Sequence, residues 1–208
     1  MNLILSFIFL LTSLPHIKET LPDTPFAYAG LNPREIITVD PQNSPLLEKG
    51  YQELLLTLSN ELSEKEILFQ VADYVGQTLF DLQKCSDHAV YALIHQHANG
   101  QLEPEIPLEI FLAERVGVCR HIALATTYIV NRLIKEGHLQ GEAFLVRDYV
   151  RCGRHAWTLF LSKEGAWHID AYWRILEDGK TEEGYEHLSR VYGPNTMERQ
   201  QQRWSHAH

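Results

Sequence analysis

The feature that most restricts the fold of this chain is a cysteine placed directly before a helical pattern, within residues 115–124. A Gly-Val step precedes Cys119, and the apolar positions that follow recur at spacings of three and four: Ile122, Ala125, Ile129 and Leu133. Amides in the first turn of a helix lack intrahelical acceptors, and the helix dipole is positive there, so a thiolate is favoured. The sequence therefore predicts a reactive thiol at the beginning of a helix that ends near Glu136, before Gly137.

A nucleophilic cysteine needs a base and a group that orients the base, and two downstream segments contain both. Residues 153–157 contain His155, and residues 168–172 contain Asp170. The sequence therefore predicts a thiol site formed by Cys119, His155 and Asp170.

A hairpin in the second half of the chain is expected to bring the last two residues together. After Gly141 the hydrophobic period becomes strand-like, which predicts strands over 142–150, 155–161 and 166–172, with a turn at 162–165. If Leu161 pairs with Ala166, Asp170 lies on the same face as His155, two residues from the position opposite it. The diagonal distance of about 7–8 Å between such positions can be bridged by an imidazole and a carboxylate.

These three segments resemble a known superfamily. GVCRHIA at 117–123, GRHAW at 153–157 and WHID at 167–170 are similar, in order and spacing, to the three blocks of transglutaminase-like proteins. The resemblance covers roughly residues 107–173. It implies a papain-like α+β fold, with a cysteine at a helix N-terminus packed on an antiparallel sheet. It also implies Cys119 as nucleophile, His155 as base and Asp170 as the orienting carboxylate.

The resemblance is incomplete at the oxyanion hole. Papain-like peptidases place a glutamine six residues before the cysteine, and here that position is Ala113. All four tryptophans lie at or after position 157, so none matches the upstream tryptophan of animal transglutaminases. The backbone N–H of Cys119 is the expected first donor. The sequence names no second donor.

Composition narrows the class of protein and partner. A chain of 208 residues fits one domain, and its net charge of −9 without a basic stripe argues against nucleic-acid binding. We expect a protein or peptide substrate and no cofactor. Three cysteines at no framework spacing indicate free thiols and favour a reducing compartment.

The expected organisation is an apolar leader and Pro-rich connector over residues 1–45, followed by a single domain over 46–208. The domain divides into a helical part at 46–137, a sheet part at 141–173 and C-terminal helices at 178–208. The apolar run at 3–14 is too short for a stable membrane span. It fits either a signal peptide or a buried helix or strand, which leaves a cytoplasmic and a secreted location open.

Metal binding is the main structural alternative. Residues 84–106 contain His88, His95 and His97, but no known ligand motif frames them, so solvated or core histidines are expected. Zinc could also be bound by two Cys/His pairs, Cys119-x-His121 and Cys152-x-x-His155, since both residue types are zinc ligands. However, positions i and i+2 of a helix point roughly 200° apart, so we expect no metal site.

The expected function is a thiol-dependent hydrolase, a cysteine peptidase or amidase, that forms an acyl-enzyme thioester. A protein-glutamine deamidase or transglutaminase, of the kind found in bacterial toxins and effectors, would use the same three residues. A catalytically inactive transglutaminase-like binding module is the alternative from a different class.

Overall fold

The computed structural model describes residues 17–22, 24–29, 35–59 and 61–204, and within these ranges the chain is α+β. The strands are β1 (Ile17–Glu19), β2 (Phe26–Ala29), β3 (Ile36–Val39), β4 (Glu105–Pro107), β5 (Glu142–Val150), β6 (Gly153–Leu161), β7 (Ala166–Asp170) and β8 (Ile175–Asp178). The α-helices are α1 (Pro45–Leu55), α2 (Glu64–Tyr74), α3 (Asp87–His97), α4 (Leu108–Glu114), α5 (Cys119–Lys135), α6 (Glu182–Tyr192) and α7 (Pro194–Trp204). None of the helices in these ranges has the length and hydropathy needed to cross a bilayer.

Two sheets form the framework. The larger has the strand order β1-β5-β6-β7-β8, all antiparallel. In the smaller, β3 lies between antiparallel β2 and parallel β4. The predicted register of the β6–β7 hairpin is confirmed, because Leu161 pairs with Ala166. The β6–β7 ladder ends where Thr158 pairs with Ile169. His155 lies beyond this pair, so at His155 the strand β6 is paired with β5 but not with β7.

The larger sheet is covered on both faces. The helix α5 packs on one face, where the Thr127 and Thr158 hydroxyls lie 2.8 Å apart. On the other face Tyr192 of α6 and Met197 of α7 pack with Trp157 in a second apolar cluster. This layering buries α5 almost completely, which explains its run of consecutive buried residues.

Local signals set the start of α2 but not its end. Ser63 and Glu66 form a capping box, with the Ser63 N–H donating to the Glu66 carboxylate at 2.8 Å. The helical pattern that begins there continues to about Leu82, but the helix widens into a π-helical turn over Val75–Leu79. Gly76 lies in this turn, and a Cβ there would come 3.2 Å from the Ala171 carbonyl oxygen. The turn therefore lies directly against the loop that follows Asp170.

The expectation of a surface connector before residue 46 is corrected by the structure. Strands β2 and β3 belong to this segment and contribute four buried residues to the main core: Phe26, Tyr28, Ile37 and Val39. Alternating bulky residues fit a half-buried strand, and this pattern outweighed the prolines that flank it. Part of the segment assigned to a connector therefore belongs to the domain. The leader at 3–14 lies outside the described residues.

Other elements differ from prediction at their ends. The strand β7 stops at Asp170 rather than Tyr172, because the Asp170 carboxylate accepts the Trp173 N–H and Arg174 adopts a left-handed conformation (φ 57°). The unpredicted strand β8 follows and extends the sheet to residue 178.

A helix, α3, was also not predicted. It is capped by the Ser86 hydroxyl, which accepts from the Ala89 N–H at 3.1 Å.

Candidate active site

The position of Cys119 is set by the loop that joins α4 to α5. Arg115 ends α4 in a left-handed conformation (φ 57°), and Cys119 is the first residue of α5, as predicted. His121 Nδ1 accepts a hydrogen bond from the Val118 N–H at 3.2 Å, so the backbone amide of the N-cap residue already has an acceptor. Among the described residues, the amides of Cys119 and Arg120 have no acceptor. They remain available to a developing negative charge beside the thiol.

Gly117 allows this loop to lie flat against the core. A Cβ at this position would come 2.7 Å from Cε1 of Phe80, whose ring is fully buried and cannot move aside. The Cys85 sulfur accepts the Gly117 N–H at 3.3 Å and holds the same segment. Close packing of backbone on ring therefore positions the cysteine.

We expect Gly117→Ala to lower the free energy of unfolding by about 1–3 kcal/mol, because the added methyl overpacks the Phe80 contact. The displaced loop should also slow alkylation of Cys119. Chemical denaturation and timed iodoacetamide labelling measure the two effects. Adding Phe80→Leu to the variant should restore part of the labelling rate. Unchanged stability and labelling in the single variant would show that this contact does not position the thiol.

His155 and Asp170 form a direct buried pair. The imidazole Nε2 lies 2.6 Å from the Asp170 Oδ2, and both side chains are almost completely enclosed. Two further donors hold the carboxylate: the Trp173 N–H donates to Oδ1 at 3.0 Å, and the Tyr192 hydroxyl donates to Oδ2 at 3.1 Å. The carboxylate is thus fixed on three sides, and the orientation of the imidazole follows from it.

Aromatic rings enclose the imidazole. The Trp173 ring stacks on His155 with centroids 3.7 Å apart and an angle of 10° between the planes. Such a ring face favours a cationic imidazolium and excludes water from the His155–Asp170 hydrogen bond. Trp173 therefore covers the imidazole.

The side of the imidazole away from Asp170 is left for the cysteine. Cys119 is close enough to His155 to help raise the pKa of the imidazole, and because Nε2 is directed at Asp170, Nδ1 is the nitrogen left for the sulfur. Burial alone lowers the pKa of His155, but the interactions with Asp170 and Cys119 outweigh it and raise the pKa to about 9. The imidazole is therefore protonated at neutral pH. The structure brings together all three residues that the sequence predicted.

The raised pKa has a consequence for stability. A folded-state pKa above the ordinary value means that protonated His155 stabilises the fold. That contribution is fully present below about pH 6.5, the ordinary histidine value. It is lost as the pH rises through about 9.

The second histidine of the cysteine segment has a structural role. Burial is the main cause that lowers the pKa of His121 to about 4, so its ring is neutral. His121 Nε2 lies 3.2 Å from the Glu35 Oε1, and the Arg120 Nε donates to the same oxygen at 2.6 Å. These contacts tie the first turn of α5 to the segment just before β3. Arg120 and His121 are therefore engaged with Glu35.

The four residues considered as zinc ligands, Cys119, His121, Cys152 and His155, do not lie together in the structure. His121 is held by Val118 and Glu35, whereas Cys119 faces His155. Cys152 is exposed in the turn between β5 and β6. In the described ranges, no group of three or more His, Cys, Asp or Glu side chains is arranged to hold a metal ion.

Sequence reasoning missed several residues near the site: Tyr28, Glu35, Cys85 and Tyr192. Each comes from an element distant in sequence from Cys119, His155 or Asp170, and none belongs to a local motif. Only the tertiary fold brings them to the site.

The site combines a thiol, a protonated imidazole, a buried carboxylate and unused amides at a helix N-terminus. This set of groups is suited to acyl transfer through a thioester. Comparison of the chain with protein-family models, with curated proteins and with solved structures finds no match. What the site does is therefore argued from its own chemistry.

Proposed function

We propose that this chain is a thiol-dependent hydrolase that cleaves amide or peptide bonds through an acyl-enzyme thioester. The observation that carries this proposal is the 2.6 Å contact between the His155 imidazole and the Asp170 carboxylate, with Cys119 close enough to help raise the pKa of that imidazole. The nucleophile, base and orienter stand in the order that a Cys-His-Asp triad requires. The helix-borne cysteine and the sheet-borne partners also support a papain-like, transglutaminase-like core.

Acylation begins from the thiolate and imidazolium. The Cys119 sulfur attacks the substrate carbonyl carbon, and the carbonyl π electrons move to oxygen to form the oxyanion. The amides of Cys119 and Arg120, in the first turn of α5, are the donors available to this charge. When the tetrahedral intermediate collapses, His155 gives its proton to the departing amine.

Deacylation uses the same residues, but His155 now acts first as a base and removes a proton. The neutral imidazole takes a proton from water, and the resulting hydroxide attacks the thioester carbon. Asp170 stabilises the imidazolium that forms again, and the thiolate leaves. We propose hydrolysis rather than transamidation, because no feature of the described residues indicates a separate site for an acceptor amine.

The products of the reaction test this proposal. The protein should be incubated with a mixture of unfolded proteins and a small primary amine, followed by peptide mass spectrometry. We expect new chain ends or hydrolysed side-chain amides that depend on Cys119. Glutamine-to-glutamate conversion alone would favour the deamidase, and incorporation of the amine would favour a transglutaminase. Absence of any thioester on Cys119 would contradict enzymatic activity and leave the binding module.

A further inference from the structure

One buried hydroxyl near the site has no acceptor. Tyr28, on β2, is 3% exposed, and its O–H finds no acceptor among the described residues, since the neighbouring Arg147 guanidinium can only donate. A buried O–H without an acceptor costs free energy, and such groups in folded proteins call for an explanation. One explanation is that a bound substrate supplies the acceptor for this O–H during the reaction.

Tyr28 lies close to the first turn of α5. It pairs with Ile37 across β2 and β3, and Glu35, two residues before Ile37, accepts from the Arg120 Nε at 2.6 Å. The Arg147 guanidinium lies over its ring, with the guanidinium carbon 4.8 Å from the ring centroid. Burial is the main cause that raises the pKa of Tyr28 to about 12. Arg147 opposes this rise, and the negative charge on Cys119 adds to it. Tyr28 is thus close enough to the thiol for an electrostatic interaction, in agreement with the contacts that join β3 to the first turn of α5.

We propose that Tyr28 is a catalytic residue, the second donor of the oxyanion hole, which donates its phenolic hydrogen to the oxyanion of the tetrahedral intermediate. This inference rests on the acyl-transfer function proposed above. It assigns the donor that the sequence could not name, at a site where Ala113 has no side-chain amide to offer. The guanidinium of Arg147 polarises the phenol and makes its O–H a stronger donor.

The step requires no additional reactant. The sulfur lone pair forms the S–C bond while the C=O π pair moves to oxygen. The Tyr28 hydrogen remains on the phenol and is shared in a hydrogen bond. When the C=O bond forms again, the C–N bond breaks, the amine leaves with the proton from His155, and the Tyr28 hydroxyl returns to its unpartnered state.

A second tyrosine near the thiol is a weaker candidate. Tyr172 also interacts electrostatically with Cys119. It is only partly buried, so its hydroxyl is not enclosed in the way that the hydroxyl of Tyr28 is. Enclosure matters because a donor cut off from water is oriented before the reaction and needs no reorganisation.

The chain offers a matched control for removal of the hydroxyl. Tyr51 is fully buried in the same core, and the Arg132 guanidinium lies over its ring at 4.7 Å. Its hydroxyl, however, donates to Glu136 at 2.8 Å, near the far end of α5. Tyr51→Phe therefore removes a satisfied structural hydroxyl, whereas Tyr28→Phe removes an unsatisfied one.

The experiment measures acylation of Cys119 by p-nitrophenyl acetate, alkylation by iodoacetamide, and thermal unfolding in both variants and the wild type. Tyr28→Phe should slow acylation about 100-fold, since an oxyanion donor is lost. It should leave alkylation, which forms no oxyanion, unchanged. Its melting temperature should stay the same or rise. Tyr51→Phe should lower the melting temperature and leave acylation unchanged.

Two results would overturn the inference: acylation of Tyr28→Phe at the wild-type rate, or equal slowing of acylation and alkylation, which would mean that Tyr28 acts on the thiol itself. A wild-type protein that is not acylated at Cys119 would instead contradict the proposed function. The failure of the two proposals is thus distinguishable.

Discussion

Cys119→Ala should abolish acyl transfer, with a loss on the order of 10⁴-fold or more, because the atom that forms the thioester is removed. The side chain is only partly buried at the beginning of α5, so the fold should tolerate the change. Release of p-nitrophenolate from p-nitrophenyl acetate, with intact-mass detection of the acetylated protein, measures the effect.

Cys152→Ala is the matched control for this variant. Its thiol is exposed in the turn between β5 and β6 and should react with the ester only as a free surface thiol does. The Cys152 variant should therefore keep the wild-type acylation rate. If acetylation persists in Cys119→Ala and disappears in Cys152→Ala, the assignment of the nucleophile is wrong.

Asp170→Asn should lower kcat for an amide substrate about 10³–10⁴-fold, because an amide cannot stabilise the imidazolium or fix its tautomer as a carboxylate does. The Asp170 hydrogen bond also raises the pKa of His155 towards about 9, against the effect of burial. Without it the imidazole should lose its proton at lower pH. The alkaline limb of the rate profile, near about 9 in the wild type, should therefore move towards neutrality.

Asp148→Asn separates this effect from a general loss of buried charge. Asp148 lies directly opposite His155 on β5 and is equally buried, but its carboxylate accepts from Arg199 at 2.8 Å. The variant should be less stable yet keep its rate per folded molecule and its alkaline limb. A wild-type profile in Asp170→Asn would mean that the 2.6 Å contact has no part in catalysis.

Much of the site could be predicted from sequence because its determinants are local. The start of α5 at Cys119 follows from apolar spacing after a Gly-Val step, and the hairpin register follows from strand alternation around residues 162–165. Once these two elements exist, the pairing of His155 with Asp170 is a matter of pleat geometry. The spacing of apolar residues and the residues of the turn are therefore enough to predict that Cys119, His155 and Asp170 lie near one another.

The remaining parts depend on contacts distant in sequence. Glu35 meets Arg120 across 85 positions, and the Tyr192 hydroxyl reaches Asp170 from a helix on the other face of the sheet. The prolines around Tyr28 favour a connector, whereas the structure pairs its segment with β3 as a strand. No pattern within a short window contains such information, since it arises only when the elements pack.

Alkylation of the three cysteines by iodoacetamide at about pH 6 tests the central claim most directly, because only a thiolate reacts quickly under these conditions. Cys152 is exposed and provides the reference rate, whereas burial raises the pKa of Cys85. The protonated imidazole of His155 near Cys119 predicts that Cys119 is labelled first, and at least tenfold faster than Cys152. Equal labelling of Cys119 and Cys152 would contradict the thiolate–imidazolium pair and, with it, the proposed enzyme.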